Sequence, residues 1–131
     1  HRIPGNLTEH DPERYRIPLL FFGEVIKPEF KGTRINKIGN QTDLAATLLN
    51  QLKIDPKRFV WSKDLLNPGT AEFAFFNWDN GFGFANNEQI ISFDNIGKNV
   101  ILKKNPLNSD SVLISNGKAY MQEVYRQYLE Y

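Results

Sequence analysis

The spacing of apolar positions changes character along the 131-residue chain, and each change marks a predicted element. Residues 1–14 are polar, broken by Pro4-Gly5-Asn6 and Asp11-Pro12, and read as a loop. Tyr15 to Gly23 is a short continuous apolar run closed by glycine, the pattern of a strand buried on both faces of a parallel sheet. Glu24 to Gly39 mixes charge with Pro28 and Gly32 and reads as a connection. From Asn40 to Leu52 the period is helical. Leu44, Ala45, Leu48, Leu49 and Leu52 form one stripe, Thr42 or Asn40 can cap the free N–H groups, and Asp43 suits the first turn. Asp55-Pro56 predicts a second, shorter helical segment ending between Phe59 and Ser62.

The second half is different. Glu72–Trp78, Gly81–Ala85, Gln89–Phe93 and Val100–Lys103 are aromatic or β-branched runs, separated by the turn-forming Asp79-Asn80-Gly81, Asn86-Asn87 and Asn95-Ile96-Gly97-Lys98. They predict an antiparallel meander of three to four strands. Ser115 to Tyr131 returns to helical spacing, with Tyr120, Val124 and Tyr128 on one face and Met121, Tyr125 and Leu129 beside it, a stripe expected to pack on the meander. The predicted fold class is therefore α+β, with loop and one sheet strand over 1–39, helix over 40–62, meander over 72–104 and a terminal helix over 115–131. A lone buried-type strand needs parallel neighbours and crossovers that this sequence does not supply. Those strands are expected upstream, which makes the chain one part of a larger α/β domain.

Composition narrows the chemistry. A formal net charge of +1, with both signs interspersed, argues against a broad nucleic-acid footprint, and no nucleic-acid partner is expected. The absence of cysteine excludes disulfides and thiolate metal sites. The longest apolar run, Leu19-Leu20-Phe21-Phe22, falls far short of the roughly 20 residues of a membrane-spanning helix.

Several segments together resemble one family. His1-Arg2-Ile3-Pro4-Gly5-Asn6, followed by Tyr15-Arg16-Ile17-Pro18-Leu19-Leu20-Phe21-Phe22-Gly23, is similar to the region after the metal-binding Asp-His-Gly of sulfatase-like enzymes. Asn40-Gln41-Thr42-Asp43-Leu44-Ala45-Ala46-Thr47-Leu48-Leu49 resembles that family's "Q-x-D-ϕ-x-P-T-ϕ-ϕ" helix, and Ile54-Asp55 with Trp61-Ser62-Lys63-Asp64-Leu65-Leu66 its "G-ϕ-D … G-x-D-L" continuation. Phe73-Ala74-Phe75-Phe76 through Gly81-Phe82-Gly83 resembles its "F-A-ϕ-ϕ … G" hairpin. The likeness covers residues 1–95 and departs at Ala46, where the family usually has proline, and at Lys53, where it often has glycine.

The resemblance is to the C-terminal part of an alkaline-phosphatase-superfamily enzyme, of the sulfatase and lipoteichoic-acid-synthase-like (phosphoglycerol transferase) type. It implies phosphoryl or sulfuryl transfer at a divalent metal (Mn, Zn, Mg or Ca) in an extracytoplasmic domain of a membrane-anchored bacterial protein. The implied partners are the upstream half of its own catalytic domain and a lipid headgroup or sulfate or phosphate ester substrate. The nucleophile and the main metal ligands would lie before His1, so no catalytic residue and no metal ligand is assigned here, no metal is expected in this segment alone, and the segment is expected to be inactive by itself.

The resemblance also implies that His1 and His10, the two histidines, stand near substrate or metal in the parent; the plainer alternative is two solvated loop imidazoles. Asp43 is better explained by its helix turn than as a catalytic carboxylate. Asp79, Asp94 and Glu88 sit at turns without a convergent histidine. Phe73, Phe75, Phe76, Trp78, Phe82 and Phe84 divide by strand alternation into a core half and an outer half. In the parent, the outer half would be covered by the rest of the domain. In the competing reading, a non-catalytic β-rich module, it would be a platform for glycan or cell-wall polymer.

An uncovered apolar strand edge favours self-association. Size-exclusion chromatography with light scattering is expected to find a dimer or higher oligomer; a clean monomer would oppose this.

Overall fold

A computed structural model describes residues 6–105 and 109–130. Its contacts divide the chain into two units. One contains the stretch up to Arg16 together with everything from Ala74 onward, and the other is Ile17–Phe73. The architecture is α+β, with a helix, a four-stranded antiparallel meander and a C-terminal helix.

In the first unit, strands β1 (Phe73–Trp78), β2 (Gly81–Asn86), β3 (Ile90–Asp94) and β4 (Asn99–Lys104) lie side by side in chain order. Polar side chains build the tight connections between them. Asn86 Oδ1 accepts from the N–H groups of Glu88 and Gln89, and the Asp94 carboxylate accepts from those of Ile96 and Gly97. The register sets Phe82 opposite Phe93 and Phe84 opposite Ile91, with Gly83 opposite Ser92 between them. A bulge between Ser92 and Phe93 shifts the pairing with β4.

Both faces of this sheet are covered, so β2 is buried from Gly81 through Ala85. On one face lies helix α2 (Ser111–Leu129), which buries Leu113 and Gly117. Phe82 fits under Gly117: a Cβ there would lie 2.1 Å from the ring. The close approach explains a glycine in mid-helix, where it costs roughly 1 kcal/mol relative to alanine. Phe75 stacks beside Phe82 at 6.0 Å and meets Tyr120 at 4.8 Å, while the Lys118 ammonium sits 4.5 Å from the Phe93 ring centre. On the other face, the Phe76 ring lies flat over Gly83, and Tyr15 stacks on Phe76 at 4.4 Å.

The second unit holds helix α1 (Asp43–Gln51), which buries Asp43, Ala46, Thr47 and Gln51. Its apolar contribution is small, with Ile26 buried alongside Ala46. Leu44, Leu48 and Leu52, the expected inward stripe, are each at least one-third exposed. The side of the helix that turns inward is the polar one.

Four expectations need correction. The strand over Tyr15–Gly23 does not form. Tyr15 closes a 3₁₀ turn (Pro12–Tyr15), and no described strand pairs with the residues that follow. An apolar run signals burial, but a strand also needs a neighbour to take its N–H and C=O groups. Leu20 and Phe22 are accordingly more than 80% exposed. The second helical segment is reduced to turns closed by Phe59 N–H to Pro56 O and Ser62 N–H to Phe59 O, both 2.8 Å. The terminal helix begins at Ser111 rather than Ser115, because Leu113 anchors its first turn on the sheet. Of its predicted stripe only Tyr120 and Met121 are partly buried, while Val124, Tyr125, Tyr128 and Leu129 remain exposed.

Gly83 gives a direct test of the packing. A Cβ would fall 1.9 Å from the Phe76 ring, which is itself pinned by Tyr15. Gly83→Ala is expected to destabilise the first unit by about 1–3 kcal/mol or more. Urea unfolding should show this as a lower midpoint with an unchanged slope.

Candidate functional site

Residues 9–15 form a closed loop on the sheet face opposite α2. Three sets of contacts from three strands hold it. Tyr15 donates its hydroxyl to the Glu9 carbonyl at 2.7 Å, with the Asn77 carbonyl of β1 3.3 Å away. Burial pushes the Tyr15 phenol above its ordinary range, so it keeps the proton this bond requires. From β3, Ser92 Oγ donates to the His10 carbonyl at 2.7 Å. From β4, the Lys104 ammonium lies 3.2 Å from Glu13 and 3.7 Å from Asp11. The loop's first bend is an Asx turn, in which Asp11 Oδ1 accepts from Glu13 N–H.

His10 therefore has a fixed backbone. Its ring is half-buried beside the Trp78 indole, with centroids 6.3 Å apart and planes at 59°. His1 lies outside the described residues. Among the described residues no group of three His, Cys, Asp or Glu side chains converges, at His10 or elsewhere. Nor is any described helix long and apolar enough to cross a membrane. Asp79 and Glu88 are exposed at their turns, and Asp94 is engaged in its own turn.

Asp43 is the most connected carboxylate of the second unit. It is fully buried. Oδ1 accepts from the Lys63 N–H at 2.9 Å, and Oδ2 accepts from the Asn40 N–H at 2.7 Å and from the Lys63 ammonium at 2.9 Å. The bond from the Asn40 N–H ties down the turn that leads into α1, whose N-cap Thr42 makes no side-chain cap bond. Lys63 also donates to the Phe73 carbonyl and lies over the Phe73 ring, 3.5 Å from its centre. Thr47 Oγ1 donates to the Asp43 carbonyl and accepts from Leu65 N–H, while Ser62 Oγ accepts from Ala46 N–H. Three donors thus engage the buried carboxylate, which makes it a structural centre of the unit.

The exposed aromatic surface is limited. Phe76, Phe82 and Phe84 are buried, and Phe73, Phe75 and Trp78 are half-covered. A shallow apolar groove of about 270 Å³ runs between β1 and the distal half of α2, lined by Phe75, Asn77, Met121, Val124, Tyr125 and Tyr128.

Sequence reasoning missed Ser92, Lys63 and Tyr15 as organising residues. Ser92 carried a usable signal, a hydroxyl set between Ile91 and Phe93 in an otherwise apolar strand. No protein-family model, curated protein or solved structure matches the chain.

Two outcomes follow from these contacts. Asp43→Ala leaves the Lys63 ammonium, 16% exposed, without its partner and is expected to cost about 3–5 kcal/mol, with loss of the α1 helical signal in circular dichroism. Hydrogen bonding from Lys104, reinforced by Arg16, holds the Glu13 carboxyl below the ordinary value of 4.5, against some opposing burial. A depressed carboxylate stabilises the fold above its unfolded-state pKa, and that contribution disappears as the pH falls through the folded value. Protection factors in residues 9–15, that is exchange measured against the intrinsic rate at each pH, should therefore fall on acidification below 4.5, and Lys104→Met should reduce Glu13's share of the effect.

Proposed function

We propose that the chain is the C-terminal part of a metal-dependent phosphoglycerol transferase or sulfuric/phosphoric ester hydrolase of the sulfatase and lipoteichoic-acid-synthase-like type. It would belong to an extracytoplasmic domain of a membrane-anchored bacterial enzyme. One observation supports this above the rest: the segments that carry the family resemblance bond to one another. Asp43 of the helix motif takes both the N–H and the ammonium of Lys63 in the "Trp61-Ser62-Lys63-Asp64-Leu65" motif, and Thr47 takes the N–H of Leu65. Phe76 of the hairpin motif lies over Gly83 of the same motif. A chance likeness of short strings gives no reason for the matched positions to meet.

In this proposal the chain's own residues position and enclose. In the family that the chain resembles, the divalent ion and the nucleophile belong to the upstream half of the domain, so no chemical step is assigned to residues here. The loop bearing His10 is the described element whose family counterpart stands near substrate or metal. The glycan- or cell-wall-binding alternative draws less support, because it needs a row of exposed rings and the outer aromatics Phe73, Phe75 and Trp78 are each half-covered.

The test compares the 131-residue chain with a version extended upstream through the whole catalytic domain. Nitrophenyl sulfate, nitrophenyl phosphate and an anionic glycerophospholipid serve as substrates, with manganese, zinc, magnesium or calcium supplied. Turnover sensitive to EDTA is expected from the extended protein and none from the chain alone. Ester turnover by the 131 residues unaided would overturn the proposal, as would an extended protein inert with every metal.

A further inference from the structure

Helix α1 turns its polar side inward, which leaves an apolar side in water. Leu44 and Leu48 are 41% and 36% exposed, and together with Phe59 and Trp61 they line a shallow groove of about 430 Å³ whose walls carry no charge. Val60 is 77% exposed in the turn closed by Ser62 N–H to Phe59 O. Contiguous apolar surface of this kind marks a contact site. Its surroundings are basic. Apart from the buried Asp43, the charged side chains from Gln41 to Ser62 are Lys53, Asp55, Lys57 and Arg58, three cations against one carboxylate. Asp55 pairs with Lys57 at 3.1 Å, yet the Lys57 side chain stays 89% exposed, so the pair does little to withdraw its charge.

We infer that the outer face of α1 and the Lys57–Trp61 turn form a docking surface for an anionic phospholipid bilayer, which they touch without crossing. Phe59, Val60 and Leu48 enter the boundary between headgroups and acyl chains, and Lys53, Lys57 and Arg58 meet the lipid phosphates. The charge pattern favours lipid over a protein partner, because protein interfaces are depleted in lysine and would have to bury or neutralise Lys53 and Lys57. The inference rests on this surface alone and stands apart from the proposed catalytic function.

Vesicle flotation with the 131-residue chain tests it. Vesicles of phosphatidylcholine with about one-third phosphatidylglycerol should bind about tenfold or more tighter than phosphatidylcholine alone, since each cation near such a surface contributes about fivefold. The preference should shrink as salt is raised. Lys57→Glu combined with Arg58→Glu is expected to abolish it. Phe59→Ser combined with Val60→Ser is expected to weaken binding about tenfold, with the circular dichroism spectrum unchanged. Should the serine pair disturb the turn, Val60→Asp alone is expected to weaken binding to a similar degree. Equal binding to neutral and anionic vesicles, binding to neither, or undiminished binding by the folded variants would overturn the inference.

The same assay on the chain extended upstream through the whole catalytic domain, without any membrane span, separates lipid from protein as the occupant. Anionic vesicles are expected to bind it as they bind the 131 residues, with the same sensitivity to the Lys57→Glu and Arg58→Glu pair. Loss of binding on extension would assign this face to the rest of the domain and overturn the inference. Ester turnover by the extended protein is a separate readout that bears on the catalytic proposal alone.

Discussion

Taking a carboxylate entirely out of water is tolerable only if donors surround it, and Asp43 meets that condition with three donors from two stretches of chain. The backbone of Asn40 fixes how the chain enters α1, the backbone of Lys63 fixes where it returns, and the Lys63 ammonium neutralises the charge. Thr47 and Ser62 extend the same arrangement by one turn in each direction. With little apolar side-chain area buried around Ile26 and Ala46, the second unit owes its shape to these directional bonds. A network of this type specifies one geometry sharply, and removing any member leaves the others desolvated.

The first unit solves a different problem by different means. Its sheet must be thin on one side to admit the 9–15 loop and thick on the other to meet α2. Alternation along β2 achieves this, with Phe82 and Phe84 toward the helix and Gly83 beneath the Phe76 ring. The backbone register that opposes Gly83 to Ser92 also places the serine where it reaches His10. Packing and loop placement thus share one cause, the order of small and large side chains in two adjacent strands.

Much of the fold was legible in the sequence because it rests on local period. The four strands and both helices lie close to their predicted places, and turn residues such as Asn86 and Asp94 act through their own side chains. The errors fall where a local pattern needed a distant partner. Tyr15–Gly23 looked like a strand because apolarity was visible and the missing neighbour was not. The leucine stripe of α1 looked inward because its polar face was assumed to be wet, whereas Asp43 and Thr47 are bonded to residues 16 to 20 positions further on. Of the candidate site residues, His10 emerged only through family resemblance, and nothing local to it pointed to Ser92. Asp43 was rightly read as structural, though for its helix turn and not for Lys63.

Helix α2 has an uneven footing. Leu113 and Gly117 fasten its first two turns to the sheet, whereas Val124, Tyr125, Tyr128 and Leu129 project largely into solvent. Local support for the distal half comes from Arg126 bridging Glu123 and Glu130, and such pairs contribute only about 0.2–0.5 kcal/mol each. A helical segment as short as this distal half is marginal without packing. Order should therefore decline from Met121 toward the end of the helix, so that one continuous rod combines a fixed root with a fraying tip.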